Sequence, residues 1–377
     1  MKLYEIGTII TGNTPSKNND EYYISDDIMF IKPGDIEEKY ITNLERSEGY
    51  ISEKARKKVR ILPKDTVLVT CIGTIGKVGI LEKEGICNQQ INAIIPNDMV
   101  VSKYLAYLIK AKQKILQLKA NAPVVPIINK TDFSKIEINI CDIKEQKRIV
   151  EKLDLVKKII DIRQEQLREL NNIVKSQFVE MFENNKFENK DLGDVAIKIT
   201  DGSHNPPKGL DERTEYVMLS SQNIIEDKIN YNNARYLSRK DFERENKRTY
   251  LEKGDVLLTI VGTIGRTAVI DNEKNITLQR SVAVIKPIEK IKSEYLVASL
   301  KTDSAKNQLN KRSKGVAQKG IYLNDLKKIF IPVPPITLQN EFSEIVKQID
   351  KQKFESMIQL KMMEKIYNII NDRRRYV

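Results

Sequence analysis

The chain has 377 residues, 40% of them hydrophobic and 31% charged, with a formal net charge of +12. This length predicts two or more domains of a soluble, globular protein, and the basic excess points to a polyanion partner or, more simply, to solubility. Cys71, Cys87 and Cys141 form no C-x-x-C pair and have only His204 for company, so no metal site is expected. Reduced thiols in a cytoplasmic protein are expected instead, with a Cys71–Cys87 bridge as the alternative. Met1 to Pro15 lacks the apolar run of a signal peptide, and no stretch approaches the ~18 apolar residues of a membrane helix.

In chain order, a polar loop comes first, Thr11-Gly-Asn-Thr-Pro-Ser-Lys17. Val67 to Ile72 is β-branched and apolar, Gly73 to Gly76 is a turn signal, and Val78 to Leu81 resumes the strand pattern, which predicts a hairpin. Gln89 and Gln90 follow it. Ser102 then stands as N-cap before a predicted helix from Lys103 to Leu118, and Ile136 to Ile140 is strand-like. From Ile143 to Phe182 no proline or glycine occurs. Apolar residues there fall at Ile149, Leu153, Val156, Ile160, Leu167, Leu170, Val174 and Met181, with Arg163 and Gln177 at the two missing seam positions. This alternation of four and three is a coiled-coil heptad, and about 40 residues give a rod of roughly 60 Å.

The whole pattern then recurs after about 190 residues, half the chain, so each copy is a domain plus a connector. L-V-T-C-I-G-T-I-G at Leu68 to Gly76 returns as L-L-T-I-V-G-T-I-G at Leu257 to Gly265, inside a second hairpin from Val256 to Ile270. Leu3 pairs with Leu192, Gln89 with Gln279, Tyr104-Leu105 with Tyr295-Leu296, and Gln146 with Gln339. Ser293 caps a second helix, Glu294 to Leu309, and Ile329 to Val333 is the second strand-like exit. A second rod runs from Leu338 to Arg374, with a seam of Phe342, Val346, Ile349, Leu360, Met363, Tyr367 and Ile370 interrupted by Lys353 and Ser356. One rod leaves the first module and enters the second, and the other leaves the second. The two are therefore expected to pack antiparallel, with a module at each end.

Chemistry of a catalytic kind is missing. Asn205-Pro206-Pro207-Lys208 resembles the N-P-P-[YF] motif of amino-methyltransferases, but Lys208 stands where an aromatic must stack on a flipped base. E-x-K triplets at Glu145, Glu188 and Glu245 are expected by chance in so charged a chain, and no P-loop occurs. What remains is suited to binding. Thr11, Asn13, Thr14 and Lys17 in the first loop, and Ser203, His204, Asn205 and Lys208 in its counterpart Asp201 to Lys208, offer groups for base edges and phosphates. Gln89, Gln90 and Gln279 suit adenine, and Arg280 suits guanine.

These landmarks together resemble the specificity subunit of type I restriction–modification systems. The resemblance rests on F-I-K-P-G-D-I at Phe30 to Ile36, the two G-T-I-G turns with their glutamines, D-G-S-H at Asp201 to His204, I-P-V-P-P-I at Ile331 to Ile336, and the two Gln-initiated helices. Ile140-Cys-Asp-Ile departs from the proline-rich run of the second exit. The resemblance implies an α+β, pseudo-two-fold chain: target-recognition domains at 1–141 and 185–336, and long antiparallel coiled-coil helices at 142–184 and 337–377. It implies a non-catalytic subunit that reads a bipartite site on double-stranded DNA, with the helices as a ruler. It also implies docking of two methyltransferase subunits and of restriction subunits. S-adenosylmethionine, ATP and Mg would serve those partners, with no cofactor in this chain. A two-headed coiled-coil scaffold is the competing reading, and a fused methyltransferase lacks its catalytic part.

Overall fold

A computed structural model of the chain describes residues 1–120, 125–183, 185–225, 227–271, 275–315 and 319–372. They form two compact units, residues 1–164 with 357–372, and Glu165–Ser356.

In the first unit, β1 (Gly7–Thr11), β8 (Ile91–Pro96), β5 (Val67–Thr70), β6 (Val78–Leu81) and β3 (Thr42–Leu44) make one sheet in that order. A smaller sheet holds β4 (Tyr50–Ile51), β2 (Ile28–Ile31) and β7 (Gly85–Cys87). The run Val67–Leu68–Val69 is continuously apolar because the sheet is covered on both faces. Val67 and Val69 join Tyr104, Leu105 and Leu108 in one core, while Leu68 joins Met29, Ile31 and Cys87 in another.

The second unit repeats this plan. β10 (Ala196–Asp201), β18 (Val282–Pro287), β15 (Val256–Thr259) and β16 (Thr267–Val269) form the main sheet. β14 (Arg235–Tyr236), β11 (Val217–Leu219) and β17 (Ile276–Leu278) form the smaller one. A short hairpin, β12 (Ile224–Ile225) with β13 (Lys228–Ile229), packs beside β16. Val256 and Leu258 face one core and Leu257 the other, as in the first unit.

The structure revises several local expectations. The first predicted helix is two, α1 (Ser102–Ala111) and α2 (Gln113–Leu118), and its counterpart is α6 (Ser293–Leu300) and α7 (Asp303–Arg312). Val101 and Lys292 are the N-caps, so Ser102 and Ser293 are first helical residues, not caps. Ile136 to Ile140 forms no strand, only a single bridge from Glu137 to Lys2. Its counterpart β19 (Phe330–Pro332) does pair, with β9 (Asn189–Asp191). Short helices α3 (Lys130–Ser134) and α8 (Leu323–Leu326) precede the exits, and α5 (Arg239–Thr249) stands where the first unit has a shorter 3-10 helix, Glu53–Lys58. The Cys71 and Cys87 thiols are free and buried, and burial pushes each up to about 12.

The long helices are α4 (Ile143–Phe178), which runs on into a π-helical turn at Val179–Glu183, and α9 (Ile336–Asp372). Arg374, the expected end, lies outside the described residues. Asp142 starts α4, accepting the Glu145 N–H at 2.9 Å. In the first unit the beginning of α4 packs on the end of α9, with Leu153 and Ile160 clustered with Leu360, Met363 and Tyr367. The Tyr367 ring sits 5.8 Å from Tyr40 and 6.1 Å from Tyr107 of the module. In the second unit the end of α4 packs on the beginning of α9, with Val174 and Phe178 against Leu338, Phe342 and Val346. Head meets tail in both, so the helices run antiparallel.

Candidate nucleic-acid interface

Strand register brings the predicted loops together. Thr11 pairs with Asn92 and Thr70 with Ile91, so the loop after β1, the turn before β8 and the G-T-I-G turn share one end of the sheet. Asp201 with Ala283 and Thr259 with Val282 do the same in the second module. Each G-T-I-G turn needs its glycines, since Gly73, Gly76, Gly262 and Gly265 all have φ between 74° and 94°. A buried threonine ends each strand and locks the turn: Thr70 accepts the Lys77 N–H at 3.0 Å, and Thr259 the Arg266 N–H at 2.9 Å.

Both modules build the same frame at this end. The Gly12 N–H donates to Ile91 O and the Gly202 N–H to Val282 O. The Ile91 N–H donates to Asn88 O and the Val282 N–H to Gln279 O. At Gly12 an added Cβ would stand 2.2 Å from the carbonyl oxygens of Cys87 and Asn88, and at Gly202 it would stand 2.0 Å from that of Leu278. Only glycine permits this crossing of two backbone segments. Arg60 donates to Thr11 O at 2.5 Å and Arg248 to Asp201 O at 2.9 Å, so an arginine clamps the same strand-end carbonyl in each copy.

This register corrects one pairing. Asn88 occupies the place of Gln279, and Gln89 that of Arg280, one position from the Gln89–Gln279 match of the bare sequence. The loop before β17 is two residues longer than the loop before β7, one more than the bare match allows, and only the strand pairings reveal it.

Several candidate side chains are occupied within the frame. Thr11 donates to Asn92 at 2.7 Å, and the Asn13 amide bonds the backbone of Lys58 and Arg60. The Gln90 amide accepts from Asn88 at 2.9 Å. Ser203 is buried, and its backbone bonds Leu278 O and the Arg280 N–H. Arg235 holds the carbonyl of Pro207, which shapes the turn carrying Asn205 and Lys208; both of these are exposed, as is Lys17.

Two positions per module then face outward from one frame. In the first, Thr14 donates to the exposed Gln89 at 2.8 Å. In the second, the matching residues are His204 and Arg280, both exposed. His204 Nε2 lies 2.8 Å from the Asp201 carboxylate, which also takes a charge-assisted bond from Arg248. The bond to Asp201 takes up Nε2 and leaves Nδ1 as the ring's second polar atom. An open cleft of about 590 Å³ adjoins them, lined among others by Arg248, Arg280, Lys314 and Tyr322. Among the described lining residues Asp201 is the one carboxylate, matched by Arg248, and Lys314 pairs with Asp325 at 3.7 Å, which leaves Arg280 with the exposed Tyr322 ring. Arg60, Arg248, Lys314 and Tyr322 escaped the sequence reading because no local motif marks them; Arg248 lies 47 residues from its partner.

Of the helix seam residues, Ile149, Leu153, Val156, Ile160, Leu360, Met363, Tyr367 and Ile370 cluster in the first unit, and Val174, Phe342 and Val346 join the core of the second. Leu153, Ile160, Leu170, Phe342, Ile349 and Tyr367 are buried, and Ile149, Val156, Leu167, Val174, Val346, Leu360, Met363 and Ile370 are half-buried. Of the interruptions, Ser356 is buried and shares a hydrogen bond with Gln166. Among the described residues, no cluster of His, Cys, Asp and Glu is arranged to hold a metal, and no helix is long and apolar enough to cross a membrane.

The model of the type I restriction modification DNA specificity domain matches this chain twice, over residues 1–172 and 184–362. The chain belongs to that family. Among specificity-domain proteins, the MjaIX specificity subunit of Methanocaldococcus jannaschii is 25% identical over 97% of this chain and 89% of its own length. The HindI specificity subunit of Haemophilus influenzae is 35% identical over 36% of this chain and 30% of its own. The solved S subunit of M. genitalium superposes with a TM-score of 0.57 at 14% identity, covering 99% of this chain and 95% of that one. A chain from a structure of type I R-M complex assembly gives 0.62 at 17% identity, with 99% and 96% coverage. These neighbours share the specificity-subunit fold.

Proposed function

We propose that this chain reads a two-part site on duplex DNA, one part with each module, and brings methyltransferase and restriction subunits to it. It is a specificity subunit and not an enzyme. S-adenosylmethionine, ATP and Mg act, in this reading, in two methyltransferase subunits and in the restriction subunits. The observation that carries it is the repeated frame: one backbone scaffold in both modules, presenting Thr14 and Gln89 in the first and His204 and Arg280 in the second. A conserved scaffold with exchanged outward groups is what two readers of different half-sites require. The base-edge groups fit that role, since an amide matches adenine and a guanidinium matches guanine. Lys17 and Lys208, both exposed, suit phosphate contacts in this reading.

The test is a binding series on duplex DNA with the chain co-expressed with its methyltransferase subunits. Log affinity should fall linearly with log salt, with a slope of about −0.9 per phosphate contacted. Affinity that stays flat from low to physiological salt would favour the protein-binding scaffold.

A further inference from the structure

Gln146 and Gln339 stand at the same place near the start of the two long helices, and each side chain is fully buried. In the first unit the Gln146 carboxamide accepts from the Val101 N–H at 2.9 Å. It donates to Met99 O at 3.0 Å and to Cys141 O at 2.8 Å. In the second, Gln339 accepts from the Lys292 N–H at 2.9 Å and donates to Lys290 O at 3.1 Å and Pro334 O at 2.9 Å. Val101 and Lys292 are the N-caps of α1 and α6. Each glutamine thus ties two stretches of backbone by three bonds: the segment that runs from the last sheet strand to the cap of the module helix, and the segment leading into the long helix. No charged group could meet one donor and two acceptor carbonyls together, and a shorter amide could not reach all three.

We infer that Gln146 and Gln339 are positioning residues that set the direction in which each module leaves its long helix, and so fix the spacer between the half-sites. This rests on the two-part reading proposed above. The joint and the reading end lie at opposite ends of one strand: β8 begins beside Gln89 and Gln90 and ends before Met99, and β18 is placed likewise. Six extended residues span about 20 Å. On an arm of that length, a swing of about 10° moves the reading end by about 3.4 Å, the rise of one base pair. A loosened joint therefore blurs spacing before it blurs sequence. Further contacts steady each joint. Tyr107 and Lys103 both bond Asp154 of α4, at 2.7 and 2.8 Å, and Tyr295 packs among Phe178 and Phe182.

The experiment compares Gln146→Met, Gln339→Met and the milder Gln146→Asn and Gln339→Asn, each co-expressed with the methyltransferase subunits. Duplexes carry both half-sites with spacers from two base pairs short to two long, and a thermal melt reports folding. The wild type should prefer one spacer, and each folded variant should lose about tenfold of that preference while both half-site sequences stay as they were. A folded variant with wild-type spacer preference would overturn the positioning role, and so would one that loses a half-site sequence. If the methionine variants do not fold, the asparagine pair decides. A wild type with no preferred spacer would instead defeat the two-part reading itself.

Discussion

At Gly202 the demands of the fold and of the candidate interface meet in a single residue. A methyl group there would lie within 2.1 Å of the Leu278 carbonyl carbon, part of the turn that leads to Arg280. Gly202→Ala should cost about 1–3 kcal/mol of stability through overpacking. It should also weaken binding to the second half-site while leaving the first intact. Urea unfolding and duplexes with one scrambled half would show this, and an alanine variant as stable as the wild type would refute the crossing. The glycine was legible in the sequence only as part of D-G-S-H. Its neighbour His204 stood out as the lone histidine, but the Arg248 that holds its partner Asp201 did not, because a contact across 47 residues leaves no local pattern. Asn13 and Ser203 looked like reading groups by type. The structure engages both within the module, which residue type alone cannot reveal.

The elements were more legible than the residues, for physical reasons that differ. The long helices follow from a heptad free of proline and glycine, and the hairpins from β-branched runs around G-T-I-G, whose glycines adopt the left-handed region that the turn needs. The break between α1 and α2 at Lys112 carries no such mark, since lysine is a good helix former. The pairing of β19 with β9 and its reduction to one bridge in the first unit depend on distant partners. The first long helix also offers a test of the ruler. Four residues inserted near Arg163-Gln164 lengthen it by about 6 Å and displace the seam by only about 40°. The preferred spacer should grow by up to about two base pairs with both half-site sequences unchanged. A folded, partner-bound variant with an unaltered spacer would mean that this helix does not measure the distance.

For the whole molecule, the repeat was the most legible feature, because duplicated landmarks in order are visible whatever they build. The two units confirm it at the level of strand order and core, down to the arginine clamp and the glutamine joint. The central claim is that each module reads its own half of the DNA site. It is tested most directly by exchanging Leu192 to Pro332 for the same region of a relative and mapping methylated adenines in host DNA by single-molecule sequencing. The account predicts that one half of the methylated motif changes while the other half and the spacer stay as they were; a motif that changes in both halves, or in neither, would contradict it.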